Sequence, residues 1–195
     1  MDSTVKKAWK HFCLVTRHRH EVFKLCVRAG IPIRGLLHDL SKYSPTEFFE
    51  SIKYYTGYMS PITKAKKEKG YSLAFIHHTN HNKHHVEYWY DMHFERQAPM
   101  MPFKYAVELI CDKIAAGKVY SGDKFDLAEP LEFFMKCDDQ KYLNENMFGY
   151  IKESLEMLKD KGIKYTVNKK NLKKIYDKYL EKELQIERNR KNENI

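Results

Sequence analysis

Apolar residues recur along most of this chain at the three-and-four spacing of a helix, and no stretch alternates for long enough to make a strand. From the N-terminus, Val5, Ala8, Trp9, Phe12, Cys13, Val15, Val22, Phe23, Leu25, Cys26 and Ala29 follow that spacing, and Gly30 stands where the helix would stop. Pro32 opens a second helix, expected to run from Ile33 to about Lys42. Ser44-Pro45-Thr46-Glu47 has the form of a third start, with a capping hydroxyl, a proline in the first turn and a glutamate three residues after the cap. That helix should reach about Tyr55, before Gly57. Residues from Gly57 to Gly70, with Pro61 and a lysine-rich run, read as a loop or a short irregular helix that would serve as a lid. A helix from Tyr71 to His78 follows, and Asn82 is placed to cap another from Lys83 to about Arg96. Pro99 and Pro102 precede a helix from Phe103 to about Tyr120, whose apolar face is Val107, Ile110, Cys111, Ile114 and Ala115. A short helix from Pro130 to Met135, a longer one led by Asp138 or Asp139 and ending near Lys161-Gly162, and a last one from Val167 to about Arg190 complete the chain. The last carries Leu172, Ile175, Tyr176, Tyr179 and Leu184 on one stripe. The expected fold class is all-α.

Composition narrows the setting. The 195 residues suit one ordinary domain, read as a helical domain over residues 1–162 and a charged helix and tail over residues 163–195. Cys13, Cys26, Cys111 and Cys137 lie far apart inside apolar patterns, as reduced core cysteines do, and no signal-peptide or membrane-length apolar run is present. A soluble cytoplasmic protein without a membrane partner is the expectation. The formal charge of +9 would suit a polyanion, but lysine and glutamate alternate through much of the excess and no nucleic-acid module is visible. A basic rim equally attracts a small phosphorylated substrate.

One local pattern departs from helix-forming needs. His38 and Asp39 stand together after an apolar run, and five of the ten histidines fall between His77 and His85. Imidazole and carboxylate together bind a borderline divalent cation, and a carboxylate can bridge to a second. Asp112 interrupts the apolar run from Leu109 to Ala115, where a carboxylate needs a partner. With His18 on the first helix, separate helices would each bring one or two ligands to one place.

His18-Arg19-His20-Glu21-Val22, Leu36-Leu37-His38-Asp39-Leu40-Ser41-Lys42, Ala74-Phe75-Ile76-His77-His78 and Ile110-Cys111-Asp112, in this order, resemble the HD superfamily of metal-dependent phosphohydrolases. Serine replaces the glycine of that family's doublet motif, the gap from His18 to the doublet is short, and the glycine-rich segment of the cyclic-dinucleotide-cleaving branch is absent. The blocks HDLSKYSPTEF and HNKHHVEYW are also similar to an uncharacterised family of short bacterial and phage proteins, over about the first three quarters of the chain. The superfamily resemblance implies an HD-like helical bundle in which His18, His38, Asp39 and Asp112 bind one metal.

Within the histidine cluster, His78 and His84 are the preferred further ligands, while His77 and His85, with Lys42, are assigned to proton transfer or phosphate contact. Lys83 and Lys113 would neutralise phosphate charge, and Tyr88 and Trp89 offer stacking surface for a base. The expected cofactor is one or two divalent transition-metal ions (Mn, Fe, Co, Ni or Zn). The expected function is phosphohydrolysis of a nucleotide or related small phosphoester by a metal-activated water. The alternatives are a non-catalytic protein that sequesters metal or nucleotide, and a di-iron oxygenase. The C-terminal stripe would pack back on the domain or form a homodimer.

Overall fold

The structure, a computed structural model, describes residues 3–91 and 98–193. It is all-α: α1 (Thr4–Arg28), α2 (Pro32–Leu37), α3 (Pro45–Lys53), α4 (Pro61–Lys69), α5 (Leu73–His81), α6 (Phe103–Ser121), α7 (Glu129–Lys136), α8 (Glu145–Thr166) and α9 (Lys169–Glu193). Short 3-10 turns lie at Leu40–Tyr43, Val86–Trp89, Gly122–Lys124 and Asp138–Tyr142. Among the described residues no helix is long and apolar enough to cross a membrane.

Side-chain caps set several starts. Ser3, Ser44 and Ser72 accept from the backbone N–H three residues on, and Asn144 accepts from Asn146 and Met147 at the head of α8. The eighth helix therefore begins at Asn144 rather than at the aspartates, whose segment turns as 3-10 helix. Glu50 of α3 accepts from Ser72 Oγ at 2.5 Å and from the amides of Leu73 and Ala74, so α5 is seated on α3 by its N-terminal turn. Between Gly57 and Gly70, where a loop or a short irregular helix is expected, stands a regular helix, α4, closed by Gly70 at φ 82°.

Helix α6 is the axis. Ala106, Val107, Ile110, Cys111, Ile114 and Ala115 are fully buried there, against Val22 and Cys26 of α1, Ile151 and Leu155 of α8, and Leu172 of α9. The core runs on past Gly162 (φ 76°), where α8 kinks, to Val167, Leu172, Ile175 and Tyr176. Unlike the α6 face, the predicted stripes of α1 and α9 stay partly outside the core. Val5 and Trp9 are exposed at the start of α1, as are Leu36 and Leu37 on α2 and Leu184 on α9.

Close helix contact depends on missing side chains at two points. A Cβ on Gly35 would stand 2.6 Å from Cys26 Cβ, and one on Gly149 would stand 2.3 Å from the Tyr179 ring. We expect Gly149→Ala to push α9 off α8 and to destabilise the fold by about 1–3 kcal/mol. Chemical denaturation measures this, and a change within about 0.5 kcal/mol would mean that Tyr179 is not held as described.

Candidate metal centre

The doublet was expected inside the last turns of the second helix, and it ends the helix instead. His38 leaves helical geometry at ψ 128°, and Asp39 is left-handed (φ 52°, ψ 29°), the one non-glycine residue with positive φ among those described. Consecutive side chains of a helix diverge by about 100°, so a continuous helix would aim these two apart. The break turns both into one centre. Arg19 of α1 holds it there, donating through Nε to the His38 carbonyl (2.7 Å) and through Nη2 to the Leu36 carbonyl (2.9 Å). A residue in so sparsely populated a region persists only where its surroundings determine it.

Around Asp39 two ligand groups form. His18, His38, Asp39 and Asp112 each place one ligand atom within 4.8 Å of the others, and so do Asp39, His78, His84 and His85. The two carboxylate oxygens of Asp39 face different groups. Oδ2 lies 3.3 Å from His38 Nε2, while Oδ1 lies 3.4 Å from His78 Nε2 and 3.6 Å from His84 Nε2. Asp112 Oδ1 closes the first group at 2.9 Å from His18 Nε2 and 3.5 Å from His38 Nε2. With metal–ligand bonds of ~2.1 Å, ligands around one ion are separated by about 3 to 4.2 Å, which these edges match.

Three of the candidate donor atoms have no partner. His38 Nε2, His84 Nε2 and Asp39 Oδ1 are buried and make no hydrogen bond. Burying an unpaired polar atom costs about 1–3 kcal/mol, so these atoms, His38 Nε2 in the first group and Asp39 Oδ1 and His84 Nε2 in the second, mark where a cation could be held.

A second layer of carboxylates sets the histidines. Glu108, fully buried on α6 one turn before Asp112, accepts from His38 Nδ1 at 3.1 Å and lies 3.4 Å from His84 Nδ1. Arg34 of α2 neutralises it through Nε (2.8 Å) and Nη2 (2.7 Å). Glu47 of α3 accepts from His78 Nδ1 at 2.9 Å and from His77 Nδ1 at 2.7 Å, and Glu87 stands 3.6 Å from His85 Nδ1. A carboxylate on Nδ1 holds the proton there and leaves Nε2 as the metal-facing lone pair. His38, His84 and Glu108 also form a group of metal-binding spacing, but Arg34 already supplies the cation on that side.

Electrostatics agree. Burial would raise the Asp39 carboxyl, yet His38, Lys42 and His78 hold it well below the ordinary value. Asp112 is likewise held well below against its burial by His18 and His38. Burial would lower the His38 imidazole, but Asp39, Asp112 and Glu108 outweigh it and hold it well above its usual value. Glu108, against its burial, is brought down to about 2 by His38 and His84.

The remaining sequence candidates divide by place. His85, assigned to chemistry from sequence, stands among the ligand atoms. Lys42 Nζ lies 3.0 Å from Asp39 Oδ2. Half-buried His77 is turned to Glu47 and stacks on His81 at 4.0 Å, outside the two groups. Lys113 lines a cavity that opens beside His84, His85 and Asp112. Lys83, Tyr88 and Trp89 line neither cavity at the centre. The expected helix after Asn82 is a 3-10 turn at Val86–Trp89, which turns Trp89 back to donate to the Lys83 carbonyl at 2.8 Å and sets Lys83 over the Tyr88 ring. Asn82 ends α5 rather than starting a helix, and the stretch of that expected helix at residues 92–96 lies outside the described residues.

Glu47, Glu87, Arg34 and Glu108 were not among the sequence candidates. Glu108 carried a visible signal, a charge in the apolar face of α6 four residues from Asp112. Glu47 was read only as the partner of a cap.

No curated protein and no solved structure matches the chain. Residues 7–182 match a family of unknown function, DUF5662. The match runs from within α1 to within α9 and includes every residue of both ligand groups. The chain belongs to this family of unknown function, DUF5662.

Proposed function

We propose that this chain is a metal-dependent phosphohydrolase, built on an HD-like bundle and acting on a nucleotide or related small phosphoester. The observation that carries the reading is Asp39, whose two oxygens face separate groups: His38, backed by Glu108, on one side, and His78, backed by Glu47, with His84 on the other. His18, His38, Asp39 and Asp112 would hold one divalent transition-metal ion; Asp39, His78, His84 and His85 would hold a second. Two ions so held supply an activated water and clamp the oxygens of an in-line displacement at phosphorus.

The protein's own groups prepare that chemistry. Glu108 and Glu47 accept from Nδ1 of His38 and of His78 and so orient these two histidines. Lys42, beside Asp39 and on the cavity wall, places a fixed positive charge where phosphate oxygens arrive. Tyr120 and Ser60 line the same space.

Elemental analysis of the purified protein should find two transition-metal ions per chain, and a panel of nucleotides and other phosphoesters should release phosphate or alcohol. Asp39→Ala should lose metal from both groups and at least about a thousandfold in kcat/KM, because the shared ligand is gone. Glu108→Gln should keep the fold and lower metal affinity about 10- to 100-fold. A protein without metal, or an Asp39→Ala variant with full activity, would end the proposal.

A pH dependence follows from His38. Its raised pKa means the metal-free chain holds a proton that an incoming ion must displace, whereas Asp39 and Asp112 are already ionised. Apparent metal affinity should therefore rise with pH through the neutral range and level off above the His38 pKa. Calorimetry in buffers of different ionisation enthalpy should detect proton release on binding at pH 6.5; binding without released protons would contradict it.

A further inference from the structure

Two cavities adjoin the ligand groups. One, of 280 Å³, is walled by Leu14 and Val15 of α1, Ile62 of α4 and Phe75 of α5, and reaches His18, Asp39 and His78. The other, of 470 Å³, is walled by Leu109 and Gly117 of α6 and by Pro130 and Phe133 of α7, and reaches His84. Ser60, His85, Asp112, Ala116 and Tyr120 line both, so the cavities join at the centre. Adjacent residues of α4 divide between them: Ile62 faces the first, Thr63 the second.

Neither cavity is made for a terminal phosphate or a polyphosphate chain. Among the described residues Lys42, paired with Asp39, is the only lysine or arginine on the first, and Lys113 is the only one on the second. Glu47 lines the first cavity, and Glu87 and Glu129 line the second. A phosphomonoester carries about −1.5 to −2 charge at neutral pH and would call for a basic cluster around its free oxygens. Mostly apolar walls with one cation each suit uncharged organic groups. The first cavity also holds a polar atom in want of a partner. His11, 6% exposed and two turns before His18, lines it, and its Nδ1 makes no hydrogen bond.

We infer that the substrate is a phosphodiester that spans the centre, with phosphorus at the ligand groups and one uncharged organic arm in each cavity. The inference rests on the phosphohydrolase reading and names its substrate class. Water adds to phosphorus, the bond from phosphorus to the oxygen of one arm breaks, and that oxygen leaves with a proton as an alcohol. The other arm stays on the phosphomonoester product.

The test is binding, measured by calorimetry on purified protein of known metal content, with diphenyl phosphate and phenyl phosphate as probes. Wild type should bind the diester at least tenfold more tightly than the monoester. Ile62→Trp fills the first cavity and Thr63→Trp the second; each should weaken the diester at least tenfold, while at most one of them weakens the monoester. Circular dichroism and metal content check that each variant is folded and loaded. Should one not fold, Leu14→Phe for the first cavity or Phe133→Ala for the second replaces it, with the same loss expected. Equal affinity for the two probes, or a diester unaffected by altering one of the cavities, overturns the inference while protein that carries metal leaves the phosphohydrolase reading in place. Protein that takes up no metal overturns both.

Discussion

Among the described residues, the centre of this bundle gathers more carboxylates than lysine and arginine side chains paired with them. Asp39, Glu47 and Glu108 are nearly or fully buried, and Asp112 joins them at the cavity edge, while Arg34 pairs with Glu108 and Lys42 with Asp39. A buried charge without compensation costs several kcal/mol, so the surplus must be met by protons on the histidines or by added cations. The raised pKa of His38 is the protonic answer of the metal-free chain. The orphaned Nε2 atoms show where the other answer would sit. Much of the local structure serves this one demand: the left-handed turn at Asp39, the grip of Arg19 on two carbonyls, and the pairing of Glu108 with Arg34.

The same demand ties the elements together. α1 contributes His18, the break after α2 contributes the doublet, α5 and the segment after it contribute His78, His84 and His85, and α6 contributes Glu108 and Asp112. No two neighbouring helices complete either group alone. Helices α8 and α9 bring no ligand, yet their apolar faces cover the far side of α6 and hold its charged face toward the others. Glu183 of α9 is fixed by the amides of Asn144 (3.0 Å) and Asn146 (2.7 Å), which anchors the end of that cover to the head of α8. Packing on one side of α6 and charge on the other are thus halves of a single arrangement.

Periodicity made the long helices legible because one apolar face decides them. α1 and α6 fall within a residue or two of their expected bounds. It failed where a polar demand overrode propensity. Ile33 to Lys42 has the composition of a continuous helix, but directing His38 and Asp39 to one centre requires the chain to break there. Lys83 to Arg96 has a good cap in Asn82, yet that amide donates to Ser41 Oγ and to the His78 carbonyl and so closes α5 instead. Ligand types could be read from residue identity, since histidine and aspartate at such density have few other uses. Their backing carboxylates could not: Glu47 and Glu87 look like any surface glutamate until α3 and α5 are docked.

The donor sets also bear on which ions this centre would hold under the reading proposed above. The first group offers two imidazoles and two carboxylates, the second three imidazoles and the one shared carboxylate. Magnesium and calcium prefer oxygen donors and dehydrate or coordinate poorly with so much nitrogen, whereas Mn, Fe, Co, Ni and Zn accept imidazole readily. The two positions are therefore unlike, the second being the richer in nitrogen. Asp39 makes them interdependent, because a cation on either side draws charge from the carboxylate that the other must share. Filling the first position lowers the negative potential at the second, while fixing Asp39 in the orientation that the second requires. Electrostatic repulsion and preorganisation thus oppose each other through a single side chain, and its left-handed backbone limits how far that side chain can move to relieve either.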